Sequence, residues 1–344
     1  MIGFSKIYFF FDDVEDDFKK EDYELMQAAE SYTGFVKVVH CSSKWFKQMQ
    51  QEASPSTWKL YGDYLTSDLI ARQVLAVEQA IQLSCNDAMD WILHIDIDEL
   101  IYWPPLSNGV SQLAKNVARD WFSRIPPHID GVRFYNAEAA PENCELMGAA
   151  GDYFQEISLF KVNPSLIGST FSSTLRECWP RKRAYFTAYQ NGKSAVRCQR
   201  NIIPKGSHGF ERKQGAFGVD SLLLSLDAQQ LCKRAIDCPP PQILHFPHAS
   251  LTLWRKKYGI LGRFPDVWCG KQEIPKACFH LQSRDAFFPI CHSDDPTQEN
   301  EARSLFITNV VFNDADMNAR LLQSGLLVRY EDVSISIAKL FKDR

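Results

Sequence analysis

A short apolar run carrying three acids, between Trp91 and Leu100, constrains the fold more than any other stretch of the sequence. Its aliphatic residues predict a buried strand of about five residues, which is a usual strand length. They are Ile92, Leu93, Ile95 and Ile97. A strand buried on both faces is typical of a parallel sheet, and open α/β sheets bind ligands beyond the carboxyl ends of such strands. The acids Asp96, Asp98 and Glu99 are therefore predicted to lie at a binding site.

The spacing of Asp96 and Asp98 favours a cation site. Residues i and i+2 of an extended segment point to the same side, so the two carboxylates could converge on one ion. Mg²⁺ and Mn²⁺ prefer such oxygen ligands and would keep open positions for the oxygens of a diphosphate. The alternative is a solvated turn or a helix N-cap. A phosphatase of the haloacid dehalogenase type is disfavoured, because it has Thr or Val where this chain has Leu100 and places the motif near its N-terminus.

Composition places the chain among ordinary soluble globular proteins. Its 344 residues, 45% hydrophobic and 23% charged, can form one large α/β domain or two smaller ones. The net charge of −4 argues against a nucleic-acid partner. No apolar run reaches the roughly eighteen residues that span a bilayer, and no signal peptide is recognisable, so the chain alone is predicted to be soluble.

The ten cysteines contain no C-x-x-C pair, so a structural zinc site is not expected. Two pairs of neighbours, Cys232 with Cys238 and Cys269 with Cys278, could form disulfides in a secretory compartment. Reduced thiols throughout are an equally good interpretation.

The order of elements in the first third of the chain indicates a doubly wound half. Strands are predicted at 6–11 and 35–40, and helices at 22–31 and 65–83, before the central strand. A β-α-β-α-β order implies parallel, right-handed connections.

After residue 100 the sequence predicts fewer elements for the same length of chain. Helices are expected at 110–122 and 251–258, strands at 131–136, 154–162 and 242–246, and a hairpin around Asn191-Gly192. Residues 294–302 are predicted to be a surface loop, and 305–312 to be helix or strand.

Several segments together resemble glycosyltransferases of the GT-A fold, most closely glycosyltransferase family 92 and its family-2-like relatives. The resemblance covers residues 3 to about 260. It rests on the following segments in order: residues 3–13, Arg72-Gln73, residues 91–99 with D-x-D-E, residues 189–195 with N-G-K-S, His208, and residues 243–246 followed by Trp254 and Tyr258.

The resemblance implies an α/β, GT-A-like (Rossmann-like), mostly parallel sheet flanked by helices, with a loop-rich C-terminal part. Residues 1–262 would form the catalytic domain, with a nucleotide and metal half to about 105 and an acceptor half after it. Residues 263–344 would be an extension packed on the same domain. Family members have one more strand ahead of the first strand here, so an unpaired edge or gap and a reduced nucleotide pocket are expected. They also have an upstream membrane anchor, which implies a Golgi or secretory membrane.

The activity implied is an inverting, metal-dependent sugar transfer using Mn²⁺ or Mg²⁺. The donor would be a nucleoside diphosphate sugar, UDP-linked, with galactose as one candidate, and the acceptor a glycan on a protein, a lipid or a polysaccharide. Two alternatives stay open: an inactive glycan- or nucleotide-binding relative, and a metal-dependent phosphohydrolase acting through the same acids.

Each predicted site residue has a structural alternative. Asp96 and Asp98 would hold the metal, with His245 or His208 as a third ligand, although a single histidine is more often structural. The nucleotide-binding residues would be Asp12 and Asp13 at the nucleoside, and Arg72, Asp96 and Lys193 at the diphosphate. A loop cap, a solvated arginine and a hairpin lysine are the corresponding alternatives.

Inversion implies a carboxylate base near the acceptor hydroxyl. Glu138 is the first candidate, and Glu211 and Asp220 follow. Three tryptophans, Trp103, Trp179 and Trp254, could stack on sugars or belong to the core.

Overall fold

The computed structural model describes residues 3–13, 16–32, 34–105, 116–147, 153–179, 184–199, 201–212, 224–234, 240–270, 272–275, 278–290, 296–333, 335 and 337. Helices flank several sheets that contain parallel pairs. The predicted α/β, Rossmann-like class is therefore confirmed.

The first part of the chain alternates strands and helices, as its sequence pattern predicts. Its elements are β1 (Ile7–Asp13), α1 (Lys20–Glu30), β2 (Val36–Ser42), α2 (Ser43–Glu52), α3 (Pro55–Tyr61) and α4 (Leu69–Asn86). β1 and β2 pair in parallel over their whole length. Within the described residues β2 is the hydrogen-bonded partner of β1. α4 starts four residues later than predicted, because Asp68 caps it by accepting a hydrogen bond from the N–H of Ile70 at 2.8 Å.

The predicted central strand is divided in two, which corrects its interpretation as one extended segment. β3 (Trp91–Leu93) ends early, the chain turns at 97–98, and β4 (Glu99–Tyr102) follows. Side-chain bonding explains the break: the carboxylate of Glu99 accepts the N–H of Asp96 at 2.7 Å, while the N–H of Glu99 reaches the carbonyl of Asp96 at 3.1 Å. Ile97 is consequently 76% exposed rather than buried. Asp96 and Asp98 therefore do not share one side of a strand.

The remaining elements complete two larger sheets and form two small two-stranded sheets. In chain order they are α5 (Val117–Ser123), β5 (Gly131–Phe134), β6 (Asn136–Ala139), α6 (Tyr153–Glu156), β7 (Leu159–Lys161), α7 (Pro164–Ile167), α8 (Phe171–Cys178), β8 (Lys193–Arg197), β9 (Ile202–Lys205), β10 (Gly209–Arg212), β11 (Ser225–Asp227), α9 (Ala228–Arg234), β12 (Gln242–His245), α10 (Leu251–Leu261), β13 (Val267–Trp268), β14 (Gln272–Glu273), α11 (Phe279–Ile290), α12 (Pro296–Val310), α13 (Ala315–Gln323) and β15 (Leu327–Arg329). The two small sheets pair β9 with β10 and β13 with β14.

Both larger sheets mix parallel and antiparallel pairs. One has the order β11-β5-β8-β3, in which β8 runs antiparallel to β3 and β5. The other has the order β15-β7-β6-β12-β4, in which β12 is antiparallel to β4 and parallel to β6. This register places His245 opposite Glu99 on one side and Glu138 on the other. Three residues predicted to be functional are thus neighbours in one sheet.

Some predicted elements differ from those observed. The strand expected at 154–162 is a helical turn, α6, followed by the short β7, and the hairpin at 185–198 keeps only its second strand, β8. The surface loop expected at 294–302 is helical from Pro296, because Ala302 and Phe306 of α12 are fully buried against α10 and α11. Residues 110–115 of the predicted helix at 110–122 lie outside the described part.

The C-terminal part of the chain joins the same sheet and the same core. β15 pairs with β7, and the N–H of Tyr330 donates to the carbonyl of Ser158 at 2.8 Å. The N–H of Cys269 donates to the Asp68 carboxylate at 2.6 Å, next to the start of α4. No helix in the described part is both long and apolar enough to cross a bilayer.

One of the two suggested cysteine pairs can be examined. Cys278 carries a free thiol whose sulfur accepts the N–H of Leu281 at 3.5 Å, so Cys269 and Cys278 are not bridged in this structure. Cys238 of the other pair lies outside the described residues.

The turn before β8 requires glycine, and this generates a stability prediction. Gly192 has φ +69°, and a Cβ there would collide with the carbonyl oxygen of Phe134, whereas Gly34 has φ +79° with open space around it. Gly34→Ala should cost about 1–2 kcal/mol of backbone strain. Gly192→Ala should cost about 1–3 kcal/mol more, because the neighbouring backbone must shift.

Urea unfolding of the two alanine variants beside the parent protein measures this difference. Equal losses of stability in the two variants would contradict the crowding at Gly192.

Candidate functional site

Side chains from four separate segments meet at one edge of the two larger sheets. The loop after β3 carries Asp96 and Asp98, and β8 begins with Lys193. β12 ends at His245, and the turn between β9 and β10 carries His208. The structure therefore brings together five of the residues predicted from the sequence.

Lys193 is the centre of this cluster. Its side chain is 1% exposed, and its Nζ donates to Asp96 Oδ2 at 2.7 Å and to the carbonyl of Ser207 at 3.4 Å. A buried ammonium group is tolerated only when it is paired and hydrogen-bonded. Burial alone would raise the pKa of Asp96, but the charge and hydrogen bond of Lys193 outweigh burial and lower that pKa to about 2.

Glu99 is the second carboxyl group beside Lys193, and its pKa is shifted in the opposite direction from that of Asp96. It is buried, and its Oε2 lies 3.8 Å from the Lys193 Nζ, farther than Asp96. Burial, together with the nearby charge of Asp96, raises the pKa of Glu99 well above its usual range. Its Oε1 is buried and has no hydrogen-bond partner among the described residues. Burial therefore favours the protonated form of Glu99 relative to that of an exposed carboxyl group, and Oε1 can take part in a further hydrogen bond.

Asp98 has a lysine of its own. Lys257, on α10, donates from Nζ to Asp98 Oδ2 at 3.1 Å and to the carbonyl of Pro247 at 3.3 Å. The Nε2 of His245 lies 3.9 Å from the other carboxylate oxygen of Asp98. Lys257 and Asp98 are 36% and 22% exposed, so this pair is open to solvent where the Lys193 pair is not.

Histidine rings and one tyrosine surround the two carboxylate–lysine pairs. The Nδ1 atoms of His94 and His208 lie 3.0 Å from the carbonyls of Ser207 and Gly192. The Tyr189 ring stacks on His245 with centroids 4.7 Å apart and lies 4.3 Å from the His208 ring. Burial lowers the pKa of all three imidazoles to about 4, so they are neutral at pH 7.

Among these histidine and tyrosine side chains, two buried polar atoms lack a partner in the described part of the chain. They are the Tyr189 hydroxyl and the His245 Nδ1. Buried polar groups are normally hydrogen-bonded, so unpaired ones beside a charged cluster are typical of a site that receives a ligand.

The predicted metal ligands do not fit a resident divalent ion as they are placed. Lys193 occupies an oxygen of Asp96, and Lys257 occupies an oxygen of Asp98. Within the described ranges no three His, Cys, Asp or Glu side chains are grouped to hold a metal ion. Asp96, Asp98, His208 and His245 are neighbours, but Mn²⁺ or Mg²⁺ stays a prediction from the sequence.

Glu138, the first candidate for the base, lies in the same sheet but is fully buried. It pairs with Lys161 and accepts hydrogen bonds from the N–H groups of Thr187 and Ala188 at 2.8 Å and from the Thr187 hydroxyl at 2.7 Å. Burial alone would raise its pKa, but Lys161 and these bonds lower it. Both oxygens are occupied, which is the arrangement of a carboxylate that holds the segment before β8 against the sheet.

One of the other two base candidates belongs to the described residues. Glu211, on β10, is 45% exposed and lies 3.8 Å from Lys205. Asp220 lies outside the described residues.

Two of the residues near β1 that were predicted to bind the nucleoside and the diphosphate, Asp12 and Arg72, are hydrogen-bonded to each other. The Nε of Arg72 donates to Asp12 Oδ2 at 2.8 Å, and its other nitrogen reaches the carbonyl of Leu65 at 2.9 Å. Asp13 is buried, binds His40 at 2.5 Å and accepts the N–H of Asp17 at 2.8 Å, so it caps its own loop.

Of the two alternatives for the tryptophans, sugar stacking or the core, the structure shows the core. Trp103, Trp179 and Trp254 are buried in three different hydrophobic clusters. Their large apolar area explains the core position.

Sequence reasoning missed Lys257 and the role of Tyr189. Lys257 lies 159 positions from Asp98, and no local pattern on α10 marks it. Tyr189 belongs to the N-G-K-S segment. The signal that could have identified it is that the family resemblance includes this segment together with the D-x-D segment.

The chain is similar to two proteins of Arabidopsis thaliana, each named glycosyltransferase-like. One, At2g41451, is 26% identical over 306 residues, which cover 86% of this chain and 59% of that protein. The other, At3g57200, is 24% identical over 347 aligned positions, which cover 99% of this chain and 59% of that protein. The chain thus spans 59% of the length of these relatives. No family model and no solved structure matches it.

The buried histidines generate a prediction about pH. Their folded pKa lies near 4, below the usual 6.5, so the stability they support is present above pH 6.5 and is lost as the pH falls towards 4. Four residues share this shift: His94, His208, His245 and His280. Each should contribute a slope of up to about 1.4 kcal/mol per pH unit. Glu99, whose pKa is raised, contributes a slope of the opposite sign from the titration of its single proton.

Urea unfolding between pH 7 and pH 5 measures this slope. His208→Gln should flatten it, and the same change at the exposed His128 should leave it unaltered. A parent protein with constant stability over this range would contradict the account.

The Lys193–Asp96 pair generates a second stability prediction. Lys193→Met should cost about 3 kcal/mol, the low end for a broken buried pair, because Asp96 is partly exposed. Lys205→Met, at a lysine that is 73% exposed on the neighbouring β9, should change stability by about 0.5 kcal/mol or less.

Adding Asp96→Asn to Lys193→Met should recover part of the loss, because it removes the unpaired charge. Equal stabilities of the two single lysine variants, measured by urea unfolding, would show that Lys193 does not anchor this edge.

Proposed function

We propose that the chain is the catalytic part of a glycosyltransferase that takes its sugar from a nucleoside diphosphate sugar. The observation that carries the proposal is the convergence of Asp96, Asp98, Lys193 and the histidines at strand ends, with unpaired polar atoms among them. Ligands bind at such edges in α/β proteins. The names of the two relatives support the same reaction class.

The chemistry of the site suits a departing diphosphate. Negative charge develops on the diphosphate as the bond to the sugar breaks, and fixed cations and hydrogen-bond donors stabilise such charge. Lys257 is the ammonium group of the cluster that solvent reaches. The neutral imidazole of His245, on which the Tyr189 ring stacks, lies 3.9 Å from the Asp98 carboxylate that Lys257 binds.

A base for the inverting reaction has to face the acceptor hydroxyl. Glu138 has no unoccupied oxygen to accept a proton, since Lys161, Thr187 and Ala188 engage both. Glu211 is the described candidate whose carboxylate is open to solvent. We therefore prefer Glu211 to Glu138 for this role.

The donor and the acceptor follow from the family resemblance. A UDP-linked donor, with galactose as one candidate sugar, and a glycan acceptor on a protein, a lipid or a polysaccharide are the first to examine. The same resemblance favours a Golgi or secretory membrane as the location. The same resemblance implies Mn²⁺ or Mg²⁺ as the metal.

Release of UDP from UDP-sugars tests the proposed function. The parent protein is compared with Asp98→Asn, with manganese and with excess EDTA, in the presence of a glycan acceptor mixture. Asp98→Asn should lower UDP release roughly a hundredfold, the effect of removing one group that positions charge in an active site. Asp316→Asn, at an exposed acid on α13, is the matched control and should keep the parent rate.

Three outcomes would contradict the proposal. No release by a folded parent protein with any UDP-sugar would favour a binding relative. Release of inorganic phosphate without an acceptor would favour a phosphohydrolase. Equal rates for Asp98→Asn and Asp316→Asn would place the reaction elsewhere.

A further inference from the structure

The two carboxylates of the D-x-D segment are neutralised by the protein itself. Asp96 is bound by Lys193 at 2.7 Å, and Asp98 is bound by Lys257 at 3.1 Å. The segment therefore carries two negative charges and faces two ammonium groups. A divalent cation bound between the carboxylates would have to displace these ammonium groups or lie beside them against like charge.

The two lysines differ in what they can reach. Lys193 is 1% exposed and is fixed beneath Asp96 by the carbonyl of Ser207, so it serves as the internal counter-ion of Asp96. Lys257 is 36% exposed. An ammonium group has three donors, and the described acceptors of Lys257 are two, the Asp98 carboxylate and the carbonyl of Pro247. The third N–H of the Lys257 ammonium group is not used by either of these two contacts.

Lys257 also connects two of the segments that form the site, the loop after β3 and the residues after β12. Asp98 belongs to the loop between β3 and β4, and Pro247 follows β12 by two residues. The unpaired Nδ1 of His245 belongs to the last residue of β12. An anion that approaches Asp98 from solvent therefore meets the partly exposed ammonium group of Lys257, while the ring of His245 is buried.

We propose that Lys257 supplies the cationic charge for the diphosphate of the donor, so that the donor binds and reacts without a divalent metal. This inference rests on the proposed function. Lys257 bridges Asp98 and a phosphate oxygen, and Asp98 keeps the lysine in place. Hydrogen bonds between charged groups of this kind are the strong class, so one well-placed ammonium group makes a measurable contribution.

The chemical step balances without a further reactant. The bond between the anomeric carbon and the phosphate oxygen breaks, and its electron pair leaves with the diphosphate. The acceptor hydroxyl oxygen forms the new bond to the anomeric carbon, and its proton passes to a carboxylate base. Lys257 keeps its protons throughout and stabilises the charge on the leaving diphosphate.

Calorimetric titration with UDP tests the inference. The parent protein, Lys257→Gln, Lys257→Arg and Lys256→Gln are each titrated in excess EDTA and again with Mn²⁺. Lys256 is the exposed neighbour on α10, so Lys256→Gln removes the same charge outside the cluster. Circular dichroism of each variant checks that it is folded.

The expected result is equal affinity of the parent protein for UDP in EDTA and in Mn²⁺. Lys257→Gln should weaken binding roughly tenfold to a hundredfold, the usual range for a hydrogen bond to a charged group. Lys257→Arg should retain most of the affinity, and Lys256→Gln should equal the parent.

Two results would overturn the inference, and they separate it from the proposed function. If the parent binds UDP only with Mn²⁺, and Lys257→Gln binds equally well with Mn²⁺, a metal supplies the charge and the glycosyltransferase proposal stands. If the folded parent binds no UDP under either condition, both the lysine role and the UDP-linked donor fail together.

Discussion

The buried ammonium group of Lys193 is the interaction on which the functional edge of the molecule depends. A buried lysine ammonium group needs an anion and further hydrogen-bond acceptors. For Lys193 these are the Asp96 carboxylate and the carbonyl of Ser207. These contacts hold the loop after β3 and the turn between β9 and β10 against the first residue of β8. Gly192, just before the lysine, is the residue that lets the chain enter β8 there.

Sheet register does the rest of the positioning. Because β12 lies between β4 and β6, His245 has Glu99 on one side and Glu138 on the other. The three side chains have different roles in consequence. Glu138 is fully hydrogen-bonded and structural, Glu99 has one unpaired oxygen, and His245 directs its Nε2 towards Asp98 while its Nδ1 is buried and unpaired.

Local patterns were enough to predict much of this. β1, β2, α1 and α4 follow from apolar periodicity, and α10 follows from the spacing of Leu251, Trp254 and Tyr258. The D-x-D segment, Lys193, His208 and His245 were predicted as one site from their place in the order of segments.

The remaining features depend on contacts that no local pattern encodes. The turn at 97–98 forms because Glu99 folds back on the Asp96 N–H, so the i, i+2 argument for an extended strand was wrong. Glu138 is engaged by Lys161 and by residues near 187, and the pairing of Lys257 with Asp98 spans 159 positions. The Glu138–Lys161 pair follows from the register of β6 and β7, and the other partners follow from the packing of segments distant in sequence.

A crystal structure of the chain grown with UDP and excess EDTA would test the central claim most directly. The account predicts that the Lys257 Nζ lies within hydrogen-bonding distance of a phosphate oxygen and of Asp98, while Lys193 stays on Asp96. A structure with manganese in which one ion bridges Asp96 and Asp98, with both lysines turned away from them, would contradict it.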